Sequence, residues 1–306
     1  MKFSILPKPW TQTVAELEAE GHEHVTLEGN PDVLIYHGGA ADFPEEIPES
    51  VQFAQFAWAG IDALDEAGIL KRSGLRWANA AGLYDDNVAE STLALILGAL
   101  HQYRRVTRDG STTRDIAYET QYLVEDKTVA IVGAGGIGKK LLSYLAPFGV
   151  NTIAVNRSGR PVEGADETVP MADIDSKNVW GRADVVVLLA PLTESTRGLV
   201  NADVLAQMKE TAVLVNVARG PLVVTDDLVE ALNNGTIAGA ALDVTDPEPL
   251  PADHPLWDCD RCLMTPHTAS TPRFGKQRIA GLTLRNWEAL QRGEKMLTEV
   301  DVEQGY

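Results

Sequence analysis

Cysteine is almost missing from this chain, with two residues in 306. Two thiols cannot build a disulfide framework, which excludes small stapled secreted scaffolds and fits a reducing, cytoplasmic setting. No apolar run approaches the roughly 18–20 residues that a membrane span requires. The longest, Leu93–Leu100 and Val185–Pro191, are the size of single core elements. Pro7 and Pro9 stand where a secretory signal would carry its apolar stretch. Positive charge is scarce as well: 26 Lys and Arg face 44 Asp and Glu, a formal charge of −18. Such a surface excludes nucleic acid and anionic membrane as expected partners, because their binding draws on clustered Lys and Arg. An anionic small molecule would have to be held by individually placed positive groups working against the global field.

What is present is an ordinary globular composition, 44% hydrophobic and 23% charged, without internal repeats. The length suits about two domains. Up to about residue 82, the runs Phe3–Leu6, Val14–Glu20, Val33–Tyr36, Val51–Phe56 and Ile61–Ala67 alternate between strand-like and helix-like patterns and predict βα units. Asp85–Arg105 reads as one long helix whose apolar face is Val88, Leu93, Ile96, Leu97 and Leu100. Residues 107–126, with Gly110 and the Ser111-Thr112-Thr113 cluster, read as an irregular connector. From Lys127 onward, apolar strands ending near Val132, Val155, Leu189, Val217 and Asp243 are separated mostly by helical segments. That alternation predicts an α/β fold, a parallel sheet with helices on both faces. A last amphipathic helix runs from Pro272 to about Arg292. The expected division is a first domain over 1–98, completed by 272–306, and a second over 99–271.

Thr128–Val132 leads straight into Gly133-Ala134-Gly135-Gly136-Ile137-Gly138 and a helical segment, and Thr152–Val155 closes a βαβ unit. Each glycine has a steric reason. Gly133 permits the tight turn, Gly135 lets the backbone approach a pyrophosphate, and Gly138 allows the helix to pack closely on the strand. The helix N-terminus then offers unpaired N–H groups to the phosphates. In this strand–helix context the triplet points to a dinucleotide. A carboxylate at the end of the second strand would bind the ribose 2′-hydroxyl of NAD; here that place holds Asn156-Arg157-Ser158-Gly159-Arg160. Arginines there favour the 2′-phosphate of NADP over NAD, although Asn156 could still bond a hydroxyl.

Later strands deliver Arg219 and Asp243; Glu248 follows inside Asp246-Pro247-Glu248-Pro249, and Met264-Thr265-Pro266-His267 ends another apolar run. In an open α/β sheet the ligand crevice lies beyond the carboxyl ends of the strands. An arginine, a carboxylate and a histidine suit reduction of a 2-oxo acid. The guanidinium forks onto the carboxylate and carbonyl oxygen, the histidine donates a proton, and the carboxylate supports the histidine. Each residue also has a plain structural alternative: Arg219 as a surface ion-pair partner, Glu248 as a solvated loop acid, His267 as the capped end of a strand.

Taken together, these residues resemble the D-isomer-specific 2-hydroxyacid dehydrogenases. The resemblance covers nearly the whole chain and is densest from 127 to 272. It rests on the Gly133–Gly138 fingerprint, Pro191-Leu-Thr-Glu-Ser-Thr-Arg-Gly-Leu199, Asn216-Val-Ala-Arg-Gly220, Gly239-Ala-Ala-Leu-Asp-Val244 and Thr265-Pro-His267. It implies Arg219, Glu248 and His267 as the catalytic residues and Asp243 as the carboxylate at the nicotinamide. Pro191, Thr196, Val217 and Ala218 fall within motifs that line the cofactor. Ala59 and Gly60, in Ala59-Gly-Ile-Asp62, match a loop whose amides take the substrate carboxylate, with Asn79 and Ser270 as further substrate contacts. The resemblance further implies two doubly wound, Rossmann-like parallel-sheet domains with a cleft between them, the helices from Asp85 and after Pro272 as the crossings, and a homodimer. The ending at Tyr306 is similar to the short glyoxylate and hydroxypyruvate reductases and lacks the regulatory extension of many phosphoglycerate dehydrogenases. Formate-oxidising relatives pair their histidine with glutamine, so Glu248 sets this chain apart from them.

The reading is therefore NADPH-linked reduction of a small 2-oxo acid. An NAD-linked dehydrogenase of a hydroxy acid such as 3-phosphoglycerate is the alternative, and Lys71, Arg72 and Arg76 are cations available to a phosphate. A nucleotide-sensing protein without turnover is the second, since fold does not fix function. Cys259-Asp-Arg-Cys262 has CxxC spacing, but a zinc site there would consume His267 or His254, and the pair precedes a strand rather than a helix. His22 and His24 read as surface residues before a strand. Trp10, Trp58 and Trp77 read as first-domain packing, with Trp58 adjacent to the carboxylate loop.

Overall fold

The computed structural model describes residues 1–109 and 115–302. The chain divides into two compact units, Met1–Tyr84 with Thr271–Tyr306, and Asp85–Ser270.

The first unit begins with β1 (Lys2–Leu6), α1 (Thr11–Ala19), β2 (Glu23–His24), β3 (Val33–Tyr36), β4 (Phe53–Phe56), α2 (Asp62–Glu66), α3 (Ile69–Arg72) and β5 (Arg76–Ala78). The strands pair in the order β2-β1-β3-β4-β5, all parallel. β3 and β4 are buried along their whole length, which is why they are near-continuous apolar runs rather than alternating ones. His24 lies within the short strand β2, half-buried, not ahead of a strand on the surface.

The second unit holds α4 (Asp85–Leu100), α5 (Tyr103–Asp109), α6 (Asp115–Glu119), β6 (Thr128–Val132), α7 (Gly136–Leu145), β7 (Asn151–Asn156), β8 (Glu167–Pro170), α8 (Val179–Arg182) and β9 (Val185–Leu188). It continues with α9 (Ala202–Gln207), β10 (Val213–Asn216), α10 (Thr225–Asn234), β11 (Gly239–Leu242) and β12 (Cys262–Met264). The sheet order is β12-β11-β10-β9-β6-β7-β8, all parallel. The winding direction reverses between β6 and β9, so the ligand-binding switch point of this topology falls at their carboxyl ends. The remaining helix, α11 (Pro272–Gln291), returns to the first unit and packs on α1.

Three expectations from sequence need correction. The helix from Asp85 stops at Leu100, and Gln102 adopts a left-handed φ of 55° before α5 resumes. An L-residue in that conformation cannot continue a right-handed helix. Of the expected irregular connector, Asp115–Glu119 is helical, while Gly110 and the Ser-Thr-Thr cluster lie outside the described residues. The unit boundary falls at Tyr84 rather than at 98, because the buried face of α4 (Val88, Ala89, Leu95, Ile96, Ala99) packs on α7 and on β10, β11 and β12.

Candidate active site

The glycine loop after β6 has the geometry its sequence demands. Gly133 holds φ at +97°, and a Cβ there would stand 2.3 Å from the Ala190 nitrogen beyond β9. The Gly133 and Ala134 amides both donate to Val155 O at 2.9 Å, drawing the loop across the end of β7. A Cβ on Gly135 would meet nothing within 4 Å, so open space lies over the loop. One on Gly138 would press on Ala134 and Ile131 at 3.3 Å, the helix-on-strand contact. Lys139 N donates to Gly135 O at 3.0 Å, but among the described residues the amides of Gly136, Ile137 and Gly138 find no acceptor. An open cradle with unpaired N–H groups at the start of a ten-residue helix fits a diphosphate.

At the end of β7, Asn156 shapes its own loop. Its Oδ1 accepts from Gly159 N at 2.6 Å and Ser158 N at 3.1 Å, and its Nδ2 donates to Arg160 O at 2.8 Å. Arg160 Nε in turn donates to Ser158 Oγ at 3.2 Å. Arg157, Ser158 and Arg160 are exposed, and no carboxylate occupies this turn. Thr196 is buried, and its hydroxyl donates to Pro191 O at 2.7 Å and accepts from Thr193 N at 2.8 Å, closing the Pro191–Thr196 loop.

The acid–base residues gather beyond β10, β11 and β12. Asn216, buried at the end of β10, accepts from Ala218 N at 3.0 Å and donates to Arg219 O at 2.8 Å, which bends the chain through Val217 and Ala218 and presents Arg219. Arg219 Nη1 donates to Ala218 O at 2.6 Å. Gly220 is obligatory, since a Cβ there would stand 1.9 Å from Thr245 O. Asp243, buried at the end of β11, has both carboxylate oxygens engaged: Oδ1 accepts from Thr265 Oγ1 at 2.6 Å and Thr268 N at 2.8 Å, and Oδ2 accepts from Ala269 N at 2.9 Å. It therefore braces the loop that carries His267. His267 Nδ1 donates to Glu248 Oε1 at 2.6 Å, and both side chains are about half exposed, at 51% and 41%. Ser270 Oγ is buried and, among the described residues, has no hydrogen-bond partner.

Sequence reasoning gave no role to Asn216, nor to Asn87 and Ser91 of α4, whose side chains donate to Ala269 O at 3.2 and 3.3 Å and hold the same loop. A polar residue directly after an apolar strand was the available signal for Asn216. Asn87 and Ser91 had none, because their partner lies more than 170 residues away.

In the first unit, Asn79 Nδ2 donates to Ala59 O at 2.9 Å and its Oδ1 accepts from Ala81 N at 3.0 Å, so it fixes the loop of exposed Ala59 and half-buried Gly60. Arg76 is committed to Glu299 through two bonds of 2.9 Å. The thiols of Cys259 and Cys262 are both buried; burial raises the Cys259 pKa and pushes that of Cys262 up to about 12.

Comparison with known proteins decides the family. Residues 92–269 match the model for the NAD-binding domain of D-isomer-specific 2-hydroxyacid dehydrogenases. The chain belongs to that family. It is 53% identical over its whole length, and the whole of the relative, to an uncharacterized protein of Corynebacterium melassecola. It is 36% identical to the human glyoxylate reductase/hydroxypyruvate reductase, over 79% of this chain and 74% of that one. A D-isomer-specific 2-hydroxyacid dehydrogenase from Xanthobacter autotrophicus Py2, solved with NADPH and MES, is 26% identical with a TM-score of 0.81, covering 100% of this chain and 99% of the other. This chain is thus an NAD(P)-dependent oxidoreductase of the 2-hydroxyacid dehydrogenase/2-oxoacid reductase type. Among its described residues no helix is long and apolar enough to cross a membrane.

Proposed function

We propose that this enzyme reduces a small 2-oxo acid of the glyoxylate or hydroxypyruvate type to the D-2-hydroxy acid, with NADPH preferred to NADH. The observation that carries the reading is the His267–Glu248 pair at 2.6 Å beyond the strand ends of a dinucleotide-binding sheet. Because Nδ1 is engaged by Glu248, Nε2 is the nitrogen left to donate a proton to the substrate oxygen. Glu248 fixes the ring's orientation and balances the charge of its protonated form. Arg219 takes the substrate carboxylate and carbonyl oxygen in its planar fork. Bound reduced nicotinamide supplies the hydride. The amides of Gly136, Ile137 and Gly138 hold the diphosphate. Ser270, with its buried and unpartnered hydroxyl, is a substrate contact, and the Ala59–Gly60 amides are the first unit's carboxylate donors. Asp243 acts by bracing the His267 loop.

The NADPH preference rests on the turn after β7, where Arg157, Ser158 and Arg160 are exposed and no acid competes for the ribose hydroxyls. A phosphorylated substrate is disfavoured because Arg76, one of the first unit's candidate cations, is tied to Glu299. We expect a homodimer, which sedimentation equilibrium would test.

The deciding experiment is steady-state oxidation of NADPH and of NADH against glyoxylate, hydroxypyruvate, pyruvate and a bulkier 2-oxo acid. Fast NADPH oxidation with a two- or three-carbon acid is the expected outcome. Preference for NADH would overturn the cofactor assignment, and preference for the bulky acid would overturn the substrate class.

A further inference from the structure

The diphosphate cradle carries a negative charge of its own. A Cβ built on Gly136, the first residue of α7, would come within 2.1 Å of Asp85 Oδ2, so the Asp85 carboxylate is pressed against the opening of that helix. It accepts no hydrogen bond from the unpaired Gly136, Ile137 or Gly138 amides, and among the described residues it has no hydrogen bond or ion pair at all. The neighbouring Asp86 has taken the local cation: Lys140 Nζ lies 2.8 Å from Asp86 Oδ1, and Tyr144 OH donates to the same oxygen at 3.4 Å. Asp85 is thus an acid with no directly bonded cation, only a weak pull from Lys140, where the family's ligand brings further negative charge.

We infer that Asp85 is a proton-linked gate on the dinucleotide, which binds best when the Asp85 carboxyl is protonated. The inference rests on the reading of the glycine loop as the diphosphate site. Like charges brought close together disfavour each other strongly inside a protein, and a neutral carboxyl removes the repulsion while adding an O–H donor for a phosphate oxygen. The groups facing Asp85 act in the required direction. Partial burial and then Asp86 raise its pKa from the ordinary aspartate value, against a weaker opposing pull from Lys140. An arriving diphosphate raises it further, so binding takes up a proton and affinity rises as pH falls.

The test is the dissociation constant of NADP+ for the wild-type chain and for Asp85→Asn, measured by calorimetry between pH 5 and 8. The ratio of the two constants at each pH cancels the titration of the 2′-phosphate and of other groups common to both proteins. The expected ratio is about tenfold weaker binding by the wild type at pH 8, closing toward unity at pH 5. Net proton uptake, read from two buffers of different ionisation enthalpy, should be larger in the wild type than in the variant across the pH interval in which the ratio changes. Asp85→Ser, which is also uncharged, should behave like Asp85→Asn and guards against a folding defect peculiar to one variant. A pH-independent ratio near one overturns the gate, as does tighter binding by the variants without a difference in proton uptake. Failure of all three proteins to bind NADP+ or NAD+ would overturn the dinucleotide reading itself.

Discussion

His267 holds φ at +53°, a conformation few residues other than glycine adopt, and its amide donates to Asp243 O at 2.8 Å. The surrounding loop maintains this geometry through three bonds to the Asp243 carboxylate and two side-chain donors from α4. Such over-determination is the usual companion of a strained functional residue. Replacing His267 by Gln should lower turnover by about 10²–10⁴ while dinucleotide affinity is kept, because the ring supplies a proton and holds no part of the glycine loop. Single-turnover kinetics beside a fluorescence titration of NADPH would check both halves, and unchanged turnover would remove His267 from the mechanism. Cys262 makes the opposite kind of residue-scale statement. With its thiol pushed up to about 12 by burial, the reactive thiolate is a negligible fraction at pH 8. The folded chain should therefore resist iodoacetamide at Cys262 and take it up only on unfolding, as peptide mass analysis would show. Rapid labelling of Cys262 in the native protein would contradict the burial.

At the scale of elements, the Ala59–Gly60 loop is held by a polar chain through the core of the first unit. Asn286 of α11 donates to Gln55 Oε1 at 2.7 Å and to Thr298 Oγ1 at 3.0 Å. Gln55 donates to Asn79 O at 2.8 Å, and Asn79 reaches Ala59. Both Gln55 and Asn286 are fully buried. Asn286→Leu would strand the Gln55 carbonyl, and a buried acceptor left without a donor costs about 1–3 kcal/mol. Urea unfolding should show that loss, with NADP+ affinity unchanged because the glycine loop belongs to the other unit. A variant as stable as the wild type would mean that the network carries no net energy. None of this chain of contacts was legible in the sequence, since Gln55 and Asn286 are 231 residues apart and neither sits in a motif. The glycine loop and the strand ends bearing Arg219 and Asp243 were legible because their determinants are local: a tight turn, a close approach, a polar residue after an apolar run. The break at Gln102 was not, because the apolar pattern continues past it. Nor was β8, an edge strand of sequence Glu-Thr-Val-Pro whose charge and proline hide it from any hydrophobic pattern.

The whole molecule sets a last constraint, because its formal charge of −18 opposes the approach of an anionic substrate and cofactor alike. The opposing field is long-ranged, whereas the attraction exerted by Arg219 or by the Arg157–Arg160 turn acts over a few ångströms. Salt separates the two. The Debye length shrinks from about 30 Å at 0.01 M to about 8 Å at 0.15 M, so added salt removes the distant repulsion well before it weakens a close, forked guanidinium contact. It follows that kcat/KM for an anionic 2-oxo acid should rise, roughly two- to fivefold, between those ionic strengths, with kcat little changed, since encounter is altered and chemistry is not. Stopped-flow measurement of the NADPH decay at both ionic strengths, with the pH held fixed, reads the effect directly. A fall in kcat/KM would mean that positive charge around the site already outweighs the global field and draws the substrate in.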